Sequence, residues 1–359
     1  GYQRRVRGMT TFIFGASTTS GRRPSNEDAH VINQRVSCGQ YAAVFDGHGG
    51  VEASQYCSQQ VHLKVTEELK KKYPVNMAIQ RAFCIVDREY IKKTDNTQGM
   101  EAGTTALCIV NKDGGPFYIG NAGDSRAVMG SVQQGQFAQN KFTVTLNDLV
   151  VIKTEDHKPN VPAERSRIEQ YGSYVSGDDE NDCPRVAGML AVSRAIGDSQ
   201  LKQNGVIAYP DVLKVEQQKI DFGVLACDGL WDVVSSEEAL WLILCVFSHF
   251  WRTEIEFREE DAAKAARLSG MKQAVTFLLK NQPDQAYDCC SAISGKPKSE
   301  FNPDLMFDRF MGEEKWKVAD ICEAAAMTLA MLAVYLDSQD NVSVVVMMRD
   351  GFEKDKIQK

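Results

Sequence analysis

Residues 41–50 read YAAVFDGHGG: an apolar run, Ala42 to Phe45, stops at Asp46, and a glycine, a histidine and two more glycines follow. The run reads as a buried strand. Aspartate is a poor strand residue, yet it closes this one. The arrangement recurs in GVLACDGLWD, where Val224–Cys227 stops at Asp228-Gly229, and in SQDNVSVVV, where Asp340-Asn341 opens the last strand. Asp124 in NAGDSR and the pair Glu27-Asp28 in RRPSNEDAH add further carboxylates. Any one of these, taken alone, is turn chemistry, because aspartate caps its own backbone and glycine tolerates positive φ. The set implies more. Several carboxylates converging from strand ends cannot all stay ionised without a compensating cation. Oxygen ligands of this kind suit hard divalent metals such as Mg²⁺ or Mn²⁺. Gly47 lets the backbone turn its carbonyl toward such an ion, and Gly49 and Gly50 remove bulk where water and substrate must approach.

Working outward, strand-like runs lie at Tyr41–Phe45, Thr105–Val110, Phe117–Gly120, Ala127–Met129, Val224–Cys227 and Val342–Met347. NAGDS, between Gly120 and Arg126, has the composition of a tight hairpin turn. Two helices follow Gly50, on the spacings Val61, Val65, Leu69 and Ile79, Phe83, Val86, Tyr90. Later helices are expected over Val161–Tyr171, with Pro162 in the first turn, Ser236–Phe247 and Val318–Leu336. From Trp251 to about Lys315 the pattern turns charged and weakly amphipathic, with a loop-like SGKPKSEFNPD, and reads as an insertion. Strand runs alternating with helix pairs favour layered α and β.

The chain has 359 residues and a formal charge of −7, with no basic stripe that could track phosphates, so nucleic-acid binding is not expected. Its ten cysteines are scattered without a CxxC pair, and Cys84, Cys108, Cys227 and Cys245 sit in apolar runs as core residues do. A reducing compartment, cytoplasmic or nuclear, is the expectation. The apolar AAAMTLAMLAVYL is short of the about 18–20 residues that span a bilayer and reads as a buried helix. The first residue is not methionine, which leaves room for a natural N-terminus upstream.

With these residues in view, the chain resembles the PPM family of metal-dependent protein serine/threonine phosphatases, the protein phosphatase 2C type. FGASTTSGRRPSNEDAH, VFDGHGG, AGTTALCIV, IGNAGDSRAV, EDHKPNVPAERSRIEQYG, RVAGMLAVSRAIGD, VLACDGLWDVVS and SQDNVSVVV carry the resemblance, in that order and nearly end to end. It implies an α+β fold, a four-layer α-β-β-α sandwich with a central pair of antiparallel β-sheets flanked by helices, and a single catalytic domain over residues 10–350. A mainly helical segment at about 251–315 would be inserted in it, and residues 1–9 and 351–359 would be terminal extensions.

The same resemblance implies two Mg²⁺ or Mn²⁺ ions per site, with Asp46 bridging both. Asp228 and Asp340 would be the remaining carboxylates of the first ion. The Gly47 carbonyl and Glu27, through water, would serve the second, and Asp28 stands beside them in the ligand motif. Arg23, five residues before Asp28, stands where the family keeps the arginine that holds the phosphate. Asp124 and Asp232, with Asp228, match a third, weaker metal position of some members.

The implied reaction is hydrolysis of phosphoserine and phosphothreonine on proteins by a metal-bridging water or hydroxide, without a phosphoenzyme, with His48 protonating the leaving alkoxide. Phosphoproteins are the implied substrates of a monomer. His62, His157 and His249 are expected to be structural, with His157 organising its loop. Gly172-Ser173 departs from the family's usual glycine pair, and the long segment between Asp228 and Asp340 has no counterpart in a minimal member. Two rivals remain: a pseudophosphatase scaffold, which would need a substituted metal carboxylate or phosphate arginine, and a relative acting on small phosphorylated molecules or on bacterial anti-sigma regulators. No cysteine is followed by an arginine six positions later, and no GxxxxGK[ST] loop occurs, so thiolate phosphatase and P-loop chemistry are excluded.

Overall fold

The structure, a computed structural model, describes residues 11–36, 39–94, 102–112, 115–132, 136–138, 141–145, 149–177, 182–252, 254–259, 261–296 and 316–352. They divide into two compact units, one from the described parts of Gly1–Asn26, Ala127–Lys153 and Glu216–Lys359, the other from Glu27–Arg126 and Thr154–Val215.

The unit that carries Tyr41–Gly50 holds β2 (Ala29–Val36), β3 (Gly39–Phe45), β4 (Gly47–His48), α1 (Glu52–Lys70), α2 (Val75–Thr94), β5 (Gly103–Thr104), β6 (Ala106–Lys112) and β7 (Phe117–Ala122). It continues with α3 (Pro162–Gln170), β12 (Val175–Ser176), β13 (Arg185–Val186), β14 (Ile196–Gly197) and β15 (Asp211–Val215). Its main sheet runs β15-β7-β6-β3-β2, antiparallel throughout. Tyr41 to Phe45 are wholly buried, which is why that run carries consecutive apolar residues instead of alternating ones. The stripes Cys57, Val61, Val65 of α1 and Ile79, Phe83, Val86 of α2 pack on Tyr41, Ala43, Phe45, Cys108 and Val110. A second sheet, β14-β5-β4, is only two residues deep, and its register sets Gly47 opposite Thr104 and His48 opposite Gly103.

The other unit holds β1 (Phe12–Thr19), β8 (Arg126–Val132), β9 (Gln136–Ala138), β10 (Lys141–Thr145), β11 (Leu149–Lys153), β16 (Phe222–Ala226) and α4 (Asp228–Trp231). After these come α5 (Ser236–Phe250), β17 (Glu254–Arg258), α6 (Ala262–Leu279), α7 (Pro283–Ser294), α8 (Val318–Tyr335) and β18 (Val342–Arg349). Its sheet runs β1-β18-β16-β8-β11, again antiparallel. The Ser235–Glu238 capping box starts α5, the serine hydroxyl accepting from the Glu238 N–H and the Glu238 carboxylate from the Ser235 N–H. The α+β class and the pair of antiparallel sheets, each with helices packed on it, agree with the expectation.

One reading is corrected. NAGDS is not a hairpin turn: β7 pairs with β6 and β15, whereas β8 pairs with β11 and stands beside β16. The tight turn is real, but the chain uses it to change sheets. The segment from Trp251 packs into this unit: Leu268, Met271, Ala274, Leu278 and Leu279 of α6 and Ala286 and Cys290 of α7 join α5, α8 and the sheet in one core. Leu305, Met306 and Phe310 lie outside the described residues. Cys84 is half-buried, while Cys108, Cys227 and Cys245 are core residues. Helix α8 is long and apolar enough by composition to cross a membrane, and most of it is buried against β1, β18 and α5.

Candidate active site

The break at Asp46 is held from both sides. Its N–H donates to the Thr105 hydroxyl at 3.2 Å, and its carbonyl accepts from the Thr105 N–H and the Thr104 hydroxyl, each at 2.9 Å. Thr105 is in turn fixed by the Ser125 hydroxyl at 2.7 Å. Glu27 folds over the glycines that follow, its Oε2 accepting from the Gly50 N–H at 3.1 Å and its carbonyl from the Ser54 hydroxyl. A Cβ on Gly47 would stand 2.1 Å from the Glu27 carbonyl oxygen, so no side chain fits there. Carboxylate oxygens of Asp28 and Asp46 lie within 4.8 Å of each other, and so do those of Asp46 and Asp124. Asp124 is buried and is paired with Lys158.

These are the expected residues of this unit, and the structure brings Glu27, Asp28, Asp46, Gly47 and Asp124 together. Carboxylates this close repel one another unless a cation or proton intervenes. The donors are hard oxygens, so the group fits a hard divalent ion. Lys158, inside the motif EDHKP, already places one ammonium on Asp124.

His48, two residues after Asp46, turns its Nε2 to Asp198, 3.0 and 2.9 Å from the two carboxylate oxygens. Burial by itself would lower the His48 pKa. The hydrogen bond and charge of Asp198, with the charges of Asp124 and Glu27, reverse that and raise it. Asp198 closes the motif SRAIGD, where the order is Gly-Asp and not the Asp-Gly of Asp46 and Asp228, so nothing local marks it as part of a site.

His157 is held at both ring nitrogens. Its Nδ1 accepts the Gly123 N–H at 3.2 Å and its Nε2 meets Asp211 at 3.1 Å, so the neutral ring carries its proton on Nε2. Burial and the nearby Arg194 lower its pKa. Its N–H and carbonyl also hold Gly123 and Ser193, which ties the EDHKP loop to the turn carrying Asp124.

In the other unit, Asp228 is the first residue of α4, where the helix start favours a negative charge. Asp232 caps its far end. Asp340 precedes β18, and the two turns interlock: the Cys227 thiol donates to the Asn341 carbonyl at 3.3 Å and the Ser338 hydroxyl to the Gly229 carbonyl at 2.7 Å. Asn341 also donates to the Ser20 and Ser25 carbonyls, fastening the turn that follows β1. Arg23 lies in that turn. Its Nη2 donates to Asp340 at 2.8 Å and its Nε to the Gln339 carbonyl at 3.1 Å, an exposed pair worth at most about 1 kcal/mol.

A family model described as protein phosphatase 2C matches residues 12–275, ending inside α6. The chain is 31% identical over 351 residues to a "probable protein phosphatase 2C 14" of Arabidopsis thaliana, a match spanning 93% of this chain and 71% of that protein. It is 32% identical over 292 residues to the integrin-linked kinase-associated serine/threonine phosphatase 2C of Homo sapiens, spanning 74% of this chain and 69% of that protein. Its fold is similar to that of a serine-threonine phosphatase 2C from Toxoplasma gondii, with a TM-score of 0.59 at 22% identity over 94% of this chain and 95% of that one.

Proposed function

The chain belongs to the protein phosphatase 2C family of serine/threonine protein phosphatases, and from that premise we propose that it hydrolyses phosphoserine and phosphothreonine on proteins directly, with two Mg²⁺ or Mn²⁺ ions and no phosphoenzyme. The observation that supports this most is the sharing of Asp46 between Asp28 and Asp124, a crowding of carboxylates that a divalent cation would relieve. When bound, such ions supply a nucleophile from water at neutral pH and neutralise charge on the phosphoryl oxygens. Asp46, Asp228, Asp340, Glu27, Asp28 and the Gly47 carbonyl are the proposed ligands, with Asp124 and Asp232 reserved for a weaker third ion. Thr104 and Thr105 hold the Asp46 backbone so that its carboxylate does not drift. The Arg23 guanidinium is proposed to take phosphoryl oxygens, for which its planar fork is suited. His48 delivers the proton that the leaving serine or threonine oxygen needs.

The test is Asp46→Asn, which removes a charge without changing size. Calorimetric titration with Mn²⁺ should show affinity falling by tenfold or more, and turnover of a phosphothreonine peptide should vanish while the melting temperature holds or rises. Wild-type Mn²⁺ affinity together with wild-type turnover would overturn the ligand assignment.

A further inference from the structure

The three-stranded sheet β14-β5-β4 has a geometry that the proton-delivery step does not by itself require. Its register puts Gly103 between the segment carrying His48 and the one that leads into Asp198. A Cβ on Gly103 would stand 2.1 Å from Asp198 Oδ2 and 2.5 Å from His48 Nε2, so the two side chains meet directly over that residue and only glycine leaves them space. Asp198 is itself buried and adopts φ +49°, a left-handed conformation that aspartate tolerates better than most residues but still costs energy. The cost is sustained by its surroundings. The Gly197 N–H donates to Asp87 at 2.9 Å, Lys202 pairs with Asp87 at 2.9 Å and donates to the Ala195 carbonyl at 2.8 Å, and the Asp198 carbonyl accepts from the Leu201 N–H at 2.9 Å. The segment is clamped on both sides of one aspartate, and that aspartate meets the ring of a histidine.

We propose that Asp198 is the positioning residue for His48: by engaging Nε2 it fixes the imidazole so that Nδ1 is the nitrogen serving the leaving oxygen. The inference rests on His48 being the proton donor, as proposed above. Among the described residues nothing is bonded to His48 Nδ1, and the ring is partly open to solvent, 29% exposed against 5% for Asp198. In the step itself the oxygen of a water bonds to phosphorus and gives up a proton to solvent, while the P–O bond to the serine or threonine breaks with its electron pair going to the leaving oxygen, which takes the Nδ1 proton. The neutral imidazole that remains keeps its Nε2–H on Asp198 and is reprotonated at Nδ1 from water. Without Asp198 the ring can rotate about χ1 and χ2, and reacting atoms fall out of line.

The test compares His48→Ala, Asp198→Ala, Asp198→Asn and the His48→Ala/Asp198→Ala double variant on two substrates, a phosphothreonine peptide and p-nitrophenyl phosphate, whose leaving group scarcely needs a proton. Asp198→Ala should lower kcat on the peptide about tenfold or more with KM unchanged, and on the aryl phosphate by no more than about twofold. Asp198→Asn keeps an acceptor for Nε2–H and a side chain at home in the left-handed region, so its folding is secure and its loss on the peptide should be smaller than that of Asp198→Ala. The double variant should be no worse than His48→Ala alone, because residues acting as a unit are not additive. Equal losses on both substrates from Asp198→Ala, or losses that add to those of His48→Ala, would overturn the positioning role while leaving His48 as the donor. A His48→Ala variant that loses equally on both substrates would instead remove the donor assignment and this inference with it.

Discussion

At Gly103 one missing methyl group separates a working site from a blocked one. Its Cβ would overlap the side chains of Asp198 and His48, and neither can retreat easily because Asp198 is buried and His48 follows a strand bond. Gly103→Ala is therefore expected to cost about 1–3 kcal/mol in stability, as overpacking does, and to cut peptide turnover by about tenfold or more. Urea unfolding and kcat measured side by side check both; an alanine variant with unaltered kcat would show that the contact is loose. Gly103 lies inside the motif AGTTALCIV, but the reason for a glycine there was not visible in the chain, since it depends on a residue almost a hundred positions away. Asp46 was legible because it violates a local rule, a carboxylate on an apolar strand. Asp198 breaks no such rule, and only the register of β14 on β5 reveals what it does.

Among the elements, α3 is anchored by charge. Its Glu164 is 3% exposed and is paired with Arg194 at 2.7 Å and Arg167 at 2.8 Å, and it accepts from the Ser193 hydroxyl at 2.5 Å. Burial would raise the Glu164 pKa, but the hydrogen bonds from Arg194, Arg167 and Ser193 outweigh it and hold the carboxyl well below its usual range. A depressed folded-state pKa contributes stability that is fully present above the unfolded value, about 4.3, and is lost as pH falls toward the folded value. Glu164→Gln should cost about 3–5 kcal/mol at pH 7, as breaking a buried pair does, and the gap from wild type should narrow below about pH 4. Denaturant unfolding across that pH range measures it, and a gap independent of pH would contradict the assignment.

The helices α6 and α7 make a second case at this scale. Because Leu268, Met271 and Leu278 are core residues, Met271→Ala should cost about 2–5 kcal/mol in unfolding free energy. Replacement of Thr253–Glu314 by a short linker should leave no cooperative melting transition, and a truncated chain that melts like wild type would contradict this. The stripes of α1 and α2 were plain in the sequence because each presents one apolar face at helical spacing. The segment holding α6 and α7 reads as mainly helical but only weakly amphipathic, because small and polar residues break up its apolar stripes. The edge strands β1, β2 and β15 escaped notice for a related reason: FIFGASTT, AHVINQRV and DVLKV mix small, polar and charged residues and lack the continuous apolar run of the central strands.

Across the whole molecule, both antiparallel sheets place a carboxylate where a buried strand gives out, Asp46 after β3 and Asp228 after β16, and a third stands just before β18 at Asp340. The proposed metal chemistry makes sense of that repetition, since hard divalent ions take oxygen ligands and each of these strand ends offers one. On the proposal above, these carboxylates hold divalent ions on which hydrolysis of phosphorylated serine and threonine depends. It is tested most directly by the rate of phosphate release from a phosphothreonine peptide by the purified chain, before chelation, after removal of divalent ions with a chelator, and after Mn²⁺ or Mg²⁺ is restored. The rate should fall to background on chelation and return on adding either ion, with a phosphotyrosine peptide hydrolysed far more slowly throughout. Undiminished phosphothreonine hydrolysis in the chelated protein would contradict the claim.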